Sequence, residues 1–192
     1  MLIYLHGFNS SPGSRKAQEL KRSMQGLDLA DQYCCPALPH LPSRAIAVIE
    51  AEIAKHARES VTLIGSSLGG FYATYLAERH DLRAVLLNPA VYPHDGLRAY
   101  LGMQRNLYTH RQYELTEAHL RQWEELYLHA VQPQRYLLLV ETGDEVLDYR
   151  EAVQKYAGAR QIVIEDGDHS LMSFPEHIPL ILEFAGIAPY RA

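Results

Sequence analysis

Cysteine is scarce in this chain. Only Cys34 and Cys35 occur, and they are adjacent. Two cysteines are too few for a disulfide framework, and neighbours rarely bond each other. No Cys-x-x-Cys or Cys/His spacing forms a zinc site. The pair reads as small apolar strand residues pointing to opposite sides of a sheet. Long apolar runs are missing too, since no segment approaches the ~20 residues that a membrane-spanning helix needs. The opening Met-Leu-Ile-Tyr-Leu-His-Gly lacks a basic lead-in and is too short an apolar run for a secretion leader, so a cytosolic location is expected. Positive charge is neither abundant nor clustered. Lys and Arg total 18 against 23 Asp and Glu, a formal net charge of −5. Basic residues come singly or in pairs such as Arg15-Lys16 and Lys21-Arg22, which reads as solvated helix faces and argues against a nucleic-acid surface. Internal repeats and low-complexity tracts are also absent. What remains is 192 residues, 47% hydrophobic and 21% charged, the proportions of one soluble globular unit with its own core.

Short apolar runs punctuate the chain at 2–5, 31–38, 61–65, 84–87, 135–141 and 161–164. They lack strict alternation, which suits strands buried on both faces of a parallel sheet. Between them lie helical patterns at 14–26, 43–58, 67–80, 149–156 and 178–184. Ser14 is placed to cap the first, and Ile46, Ile49, Ile53 and Ala57 give the second its apolar face. Pro36, Pro39 and Pro42 mark irregular chain between strand and helix. The segment 92–133 differs, being rich in Tyr, His, Gln and Arg and holding Trp123. It predicts helical stretches, about 114–130, and no strand. Its apolar content is too low for a core of its own, so it is an insertion in a repeated β-α scheme.

The centre of the sequence is Gly65-Ser66-Ser67-Leu68-Gly69. A β-branched apolar run precedes it and a helical pattern follows, the context that gives G-x-S-x-G its meaning. Ser67 is in the middle position, where a sharp strand-to-helix turn pushes the hydroxyl out over the sheet; Ser66 is the competing hydroxyl. A serine hydroxyl needs a base, a group that orients the base, and donors for an oxyanion. In an open parallel sheet these lie beyond the carboxyl ends of strands. Of ten histidines, six (His56, His80, His110, His119, His129 and His177) fall in or beside helical patterns, where surface or structural roles are expected. His40 and His94 lie in loops beside prolines. His6 precedes Ser67 and reads as a residue bracing its loop. His169 follows the last strand in Asp166-Gly167-Asp168-His169-Ser170, the place for the base. The loop after 135–141 offers Asp144, Glu145 and Asp148 as the orienting acid. Asp144 lies nearest the strand end and after a glycine, whereas an N-cap role explains Asp148. The N–H groups of Leu68 and Phe8 are the expected oxyanion donors.

These motifs, in the order His6-Gly7-Phe8, Gly65-Ser66-Ser67-Leu68-Gly69, Gly143-Asp144-Glu145-Val146 and Gly167-Asp168-His169, resemble the α/β-hydrolase superfamily. More specifically, Ile-Tyr-Leu-His-Gly-Phe-Asn-Ser-Ser-Pro, Ile-Gly-Ser-Ser-Leu-Gly-Gly-Phe-Tyr-Ala-Thr and Thr-Gly-Asp-Glu-Val-Leu-Asp-Tyr resemble the small bacterial esterases of the YqiA/YcfP group, the UPF0227 family. The resemblance implies one three-layer α/β/α domain over 1–192. It implies a six-stranded parallel sheet in the order 2-1-3-4-5-6, with a helical cap insertion at about 92–133. It further implies an esterase or thioesterase that needs no cofactor or metal and agrees with Ser67, Asp144, His169, Phe8 and Leu68 in their roles. Substrate contacts are expected from Asn9, Tyr92 and Trp123, alongside Tyr100, Tyr108, Tyr113 and Tyr127, either lining an acyl pocket or packing the insertion onto the body. Arg98, Arg105 and Arg111 are placed to meet an anionic substrate such as acyl-CoA, or are ordinary surface arginines. An acyltransferase with the same residues and a non-catalytic binding module on the same scaffold are the alternatives.

Overall fold

The computed structural model describes residues 1–56 and 60–187. Six strands form one parallel sheet: β1 (Leu2–Leu5), β2 (Tyr33–Cys34), β3 (Thr62–Ser66), β4 (Arg83–Leu87), β7 (Tyr136–Glu141) and β8 (Arg160–Ile164). Their spatial order is β2-β1-β3-β4-β7-β8. Counted within this sheet alone, that is 2-1-3-4-5-6. The labels skip because a separate hairpin, β5 (Gly102–Arg105) with β6 (Gln112–Leu115), intervenes in the chain.

Period-two alternation sends successive side chains to opposite faces. Ile3, Leu5 and Leu63 join one core cluster, while Leu2, Tyr4 and Ile64 join the other. The first cluster is closed by α2 (Pro42–Lys55), α3 (Leu68–His80) and α6 (Tyr149–Lys155). The second is closed by α1 (Arg15–Gly26) and α7 (Phe174–Phe184). The sheet therefore lies between two helical layers. All residues of β1, β3 and β7 are buried, as suits predominantly apolar strands in the middle of a parallel sheet. The edge strands β2 and β8 are only partly covered. Among the described residues no helix is long and apolar enough to cross a membrane.

Several expectations need correction. The segment between β4 and β7 is not purely helical, because the β5–β6 hairpin occupies its middle. Its strands have four residues each and carry Gly, Gln and Arg, so no apolar alternation announces them. The turn is made by Asn106, whose Oδ1 accepts from the N–H groups of Tyr108 and Thr109. The helix of this segment, α5 (Glu117–Glu125), is shorter than predicted. It begins only after Thr116, which with His119 forms a capping box. A four-residue helix, α4 (Pro93–Gly96), precedes the hairpin. The strand expected over 31–38 shrinks to Tyr33–Cys34 as Pro36 ends the pairing. Pro42 begins α2 instead of excluding it, since the first helical position needs no N–H partner. Ser14 occupies the N-cap position of α1, but its hydroxyl makes no capping bond. The predicted end of the second helix, with Ala57 and Arg58, lies outside the described residues.

Candidate active site

The turn between β3 and α3 puts Ser67 at φ 54 and ψ −122. A non-glycine residue in this region costs of the order of 1–3 kcal/mol and needs its surroundings to hold it. The Ser67 N–H donates to the Leu87 carbonyl at 3.0 Å, and its carbonyl accepts from Gly70 and Ala90 at 2.8 and 3.0 Å. The crossing is tight. A Cβ on Gly65 would run into the Gly69 carbonyl, and one on Gly69 into the Leu5 carbonyl. The two glycines of the motif thus allow strand, turn and helix to approach closely.

Two further strand ends meet the serine. The loop after β8 brings His169 Nε2 to 3.2 Å from Ser67 Oγ. The loop after β7 brings Asp144 to the other side of the ring, its carboxylate oxygens 2.8 and 3.0 Å from His169 Nδ1. A carboxylate only accepts, so Nδ1 carries the proton and Nε2 is left as an acceptor facing the hydroxyl. The Asp144 side chain is 1% exposed. Burial pushes its carboxyl up, but hydrogen bonds from His169 and from the Leu147 and Val146 N–H groups outweigh that and hold it below the ordinary carboxylate range. This arrangement can draw a proton from Ser67 and stabilise the imidazolium that results.

The other acids of the loop have different work. Asp148 caps α6, accepting from the Arg150 N–H and guanidinium. Glu145 accepts from the His169 N–H at 3.0 Å. His6 is buried and bridges loops, with Nδ1 3.1 Å from the Gly7 carbonyl and Nε2 accepting from the Leu38 N–H. Burial lowers its pKa, and an Nε2 that accepts from Leu38 carries no proton, so the ring braces the loop as a neutral imidazole.

The N–H groups of Phe8 and Leu68 make no hydrogen bond to the described residues, and both residues line the cavity that opens on Ser67. Leu68 begins α3, where intrahelical acceptors are lacking. The cavity has a volume of about 600 Å³. Tyr92, Leu97, Tyr100 and Val146 contribute apolar surface, and Asp95, Asp148 and Glu151 contribute carboxylates.

Of the expected substrate contacts, Tyr92 lines this cavity and the other two do not. Trp123 is wholly buried, its indole N–H donating to the Tyr72 hydroxyl at 2.8 Å, so it packs α5 onto α3. Asn9 is engaged with the hairpin. Its amide donates to Gln104, its carbonyl oxygen accepts from the Tyr113 hydroxyl, and its backbone carbonyl accepts from Leu107. Tyr113 is tied up by the same contact. Arg98 pairs with Glu117 at 3.1 Å. No group of three or more metal-ligating side chains occurs among the described residues.

Residue patterns alone passed over the supports of the His169 loop. Asn88, at φ 40, donates to the carbonyls of Asp168 and His169 and accepts from the Glu141 N–H. Glu141 is 2% exposed and accepts from the Asp168 N–H at 2.8 Å and the Ser173 hydroxyl at 2.5 Å. From α1, Arg15 and Lys16 both donate to the Ser170 carbonyl at 2.7 Å. A charged residue closing an otherwise apolar strand was the available signal for Glu141.

Comparison with known proteins agrees with this architecture. Solved structures share the fold at low identity. The mouse alpha/beta hydrolase domain-containing protein 10 superposes with a TM-score of 0.71 at 15% identity, covering 95% of this chain and 87% of that one. Est1E from Butyrivibrio proteoclasticus superposes at 0.67 and 15%, covering 96% and 84%. In sequence, a UPF0227 protein of Shewanella baltica is 24% identical over 190 residues, 96% of this chain and 98% of the relative. A UPF0227 protein of Pectobacterium atrosepticum is also 24% identical, over 191 residues, 96% and 98% of the two chains. The model of UPF0227, described as an uncharacterised protein family, matches residues 1–186. With nearly its whole length matched and the α/β hydrolase fold beneath it, the chain belongs to the UPF0227 family.

Proposed function

We propose that this protein is a serine hydrolase that cleaves carboxylic esters or thioesters of small molecules. The observation that carries this is the hydrogen-bonded series Asp144–His169–Ser67, assembled from three strand ends at the mouth of a cavity. Ser67 attacks the acyl carbonyl while His169 takes its proton, and Asp144 holds the ring and steadies its positive charge. The oxyanion is received by the Phe8 and Leu68 N–H groups; losing one such donor raises the barrier by about 3 kcal/mol. His169 returns the proton to the leaving group, then activates the water that frees the acid. The cavity beside Leu68, with Tyr92 in its wall, takes the acyl part, and its size falls within the range of small-molecule sites. Est1E, which shares the fold, has been solved with ferulic acid bound, and this supports a small-molecule carboxylic ester.

Labelling with a fluorophosphonate probe and hydrolysis of 4-nitrophenyl butyrate test the reading. Both are expected in the native protein. Ser67→Ala should abolish both while retaining a native circular dichroism spectrum. Turnover that survives the substitution would remove the assignment.

A further inference from the structure

Ser67 is reached from two cavities of opposite character. The second has a volume of about 270 Å³ and shares only Phe8, Ser67 and His169 with the first. Among the described residues, the first carries Asp95, Asp148 and Glu151 and no Lys or Arg in its wall. The second is lined by serines, among them Ser10, Ser66 and Ser170, and by Arg15 and Lys16, with no carboxylate among the described residues. Charge therefore changes sign across the serine.

The two cations are not equivalent. Arg15 is neutralised by Glu19 at 2.9 Å and also donates to the Ser170 and Leu171 carbonyls. Lys16 donates to the Ser170 carbonyl at 2.7 Å, and no carboxylate of the described residues lies within ion-pair distance of its Nζ. An ammonium has three donors, so two remain. Burial and the neighbouring Arg15 draw its pKa down to about 8, while the more distant Asp168, Glu141 and Asp144 act in the opposite sense. Beside it, the first turn of α1 holds no acidic residue. The ammonium and the helix terminus both gain from an anion in the cavity.

We infer that the second cavity is the leaving-group subsite and that Lys16 selects esters whose departing alcohol or thiol carries a carboxylate or phosphate. This rests on the esterase reading and adds a substrate class to it. The side is fixed by the charge of the walls. The bond from the acyl carbon to the leaving oxygen or sulfur breaks with its electron pair on that atom, which takes the proton that His169 removed from Ser67. Ser67 Oγ keeps the acyl carbon until water replaces it. The leaving atom must therefore face His169, which lines both cavities, and the cationic wall that would hold its anionic tail belongs to the second alone. Carboxylates in the larger cavity disfavour binding in the reverse sense.

Three matched esters test this: 3-butyryloxybenzoate, 3-butyryloxyphenyl phosphate and the neutral 3-butyryloxybenzamide, read by released butyrate. In the native protein kcat/KM for at least one anionic ester should exceed that for the amide about tenfold, and added salt should shrink the ratio. Preference between carboxylate and phosphate identifies the anion. Lys16→Met should bring the ratio close to one, and Lys16→Arg should retain most of it. The ratio, not the absolute rate, is the readout, because Lys16 also holds the loop of His169; the salt series on the native protein stands even where Lys16→Met folds poorly. Equal rates on charged and neutral esters, or a ratio untouched by Lys16→Met, would overturn the subsite and leave the esterase reading intact. Hydrolysis of none of the three overturns the subsite. Loss of fluorophosphonate labelling in the same sample would take the esterase reading with it.

Discussion

At the level of single residues, the two aspartates after β7 differ in what holds them and in what the proposed chemistry asks of them. Both are held below the ordinary carboxylate range, but by different partners. For Asp144, His169 and two loop N–H groups overcome its burial; for Asp148, Arg150 is the main cause. Asp144→Asn keeps the shape and the loop bonds but offers the ring an amide in place of a charge. It is expected to lower kcat by about 10³–10⁴, as removal of the charge behind a catalytic histidine does elsewhere. Asp148→Asn retains a capping side chain, so its effect on turnover should be far smaller. Steady-state kinetics on 4-nitrophenyl butyrate decides between them, and the reverse ranking would move the orienting role to Asp148. The meeting of Ser67, Asp144 and His169 was legible in the sequence because each lies at a strand end, in the chain order that the proposed site requires. Asn9 and Trp123 could not, because their partners Gln104, Tyr113 and Tyr72 are distant in sequence. An aromatic ring or an amide looks the same in a sequence whether it lines a pocket or joins two elements.

Among the elements, the β4–β7 segment is fastened to the body by a pair of imidazoles. His119 Nδ1 accepts from the Thr116 N–H at 3.1 Å, so its proton is on Nε2 and is donated to His40 Nδ1 at 2.9 Å. His40 stacks on Tyr113 at 4.3 Å, and the Tyr113 hydroxyl holds Asn9 beside Phe8. Burial lowers the pKa of both histidines; Arg44 further disfavours charge on His40, as His40 does on His119. Protonation puts two donors, or two cations, face to face. With folded values below the ordinary imidazole pKa of about 6.5, this contribution to stability is complete above that pH and is lost as pH falls through it. The thermal midpoint should therefore drop between about pH 7.5 and about pH 5.5, and His40→Gln should flatten that drop. Parallel profiles for the two proteins would exclude the pair as the cause. The buried strands and their helices were visible as apolar runs and helical spacing. The hairpin was not, because four-residue strands with half-exposed side chains carry no periodicity strong enough to see, and its register comes from the Asn106 turn and from Asn9.

For the molecule as a whole, the question is whether the β4–β7 segment and the sheet fold as one unit. Its own apolar content is small, and its buried residues belong to the main core. Leu115, Leu120 and Trp123 share a cluster with Leu63, Phe71, Tyr72 and Leu138. Removing the segment would uncover that cluster and leave the Tyr72 and Trp123 polar groups without each other, so the two parts are expected to unfold together. Trp123 is the only tryptophan of the chain and lies at this junction, fully buried. Its fluorescence therefore reports separation of the segment from α3, while the far-ultraviolet circular dichroism reports the sheet and its helices. In urea the two signals should follow one transition with a common midpoint and slope, as a two-state domain requires. An earlier fluorescence transition would show the segment opening by itself, a lid over the cavity lined by Tyr92 and Tyr100 instead of a fixed wall.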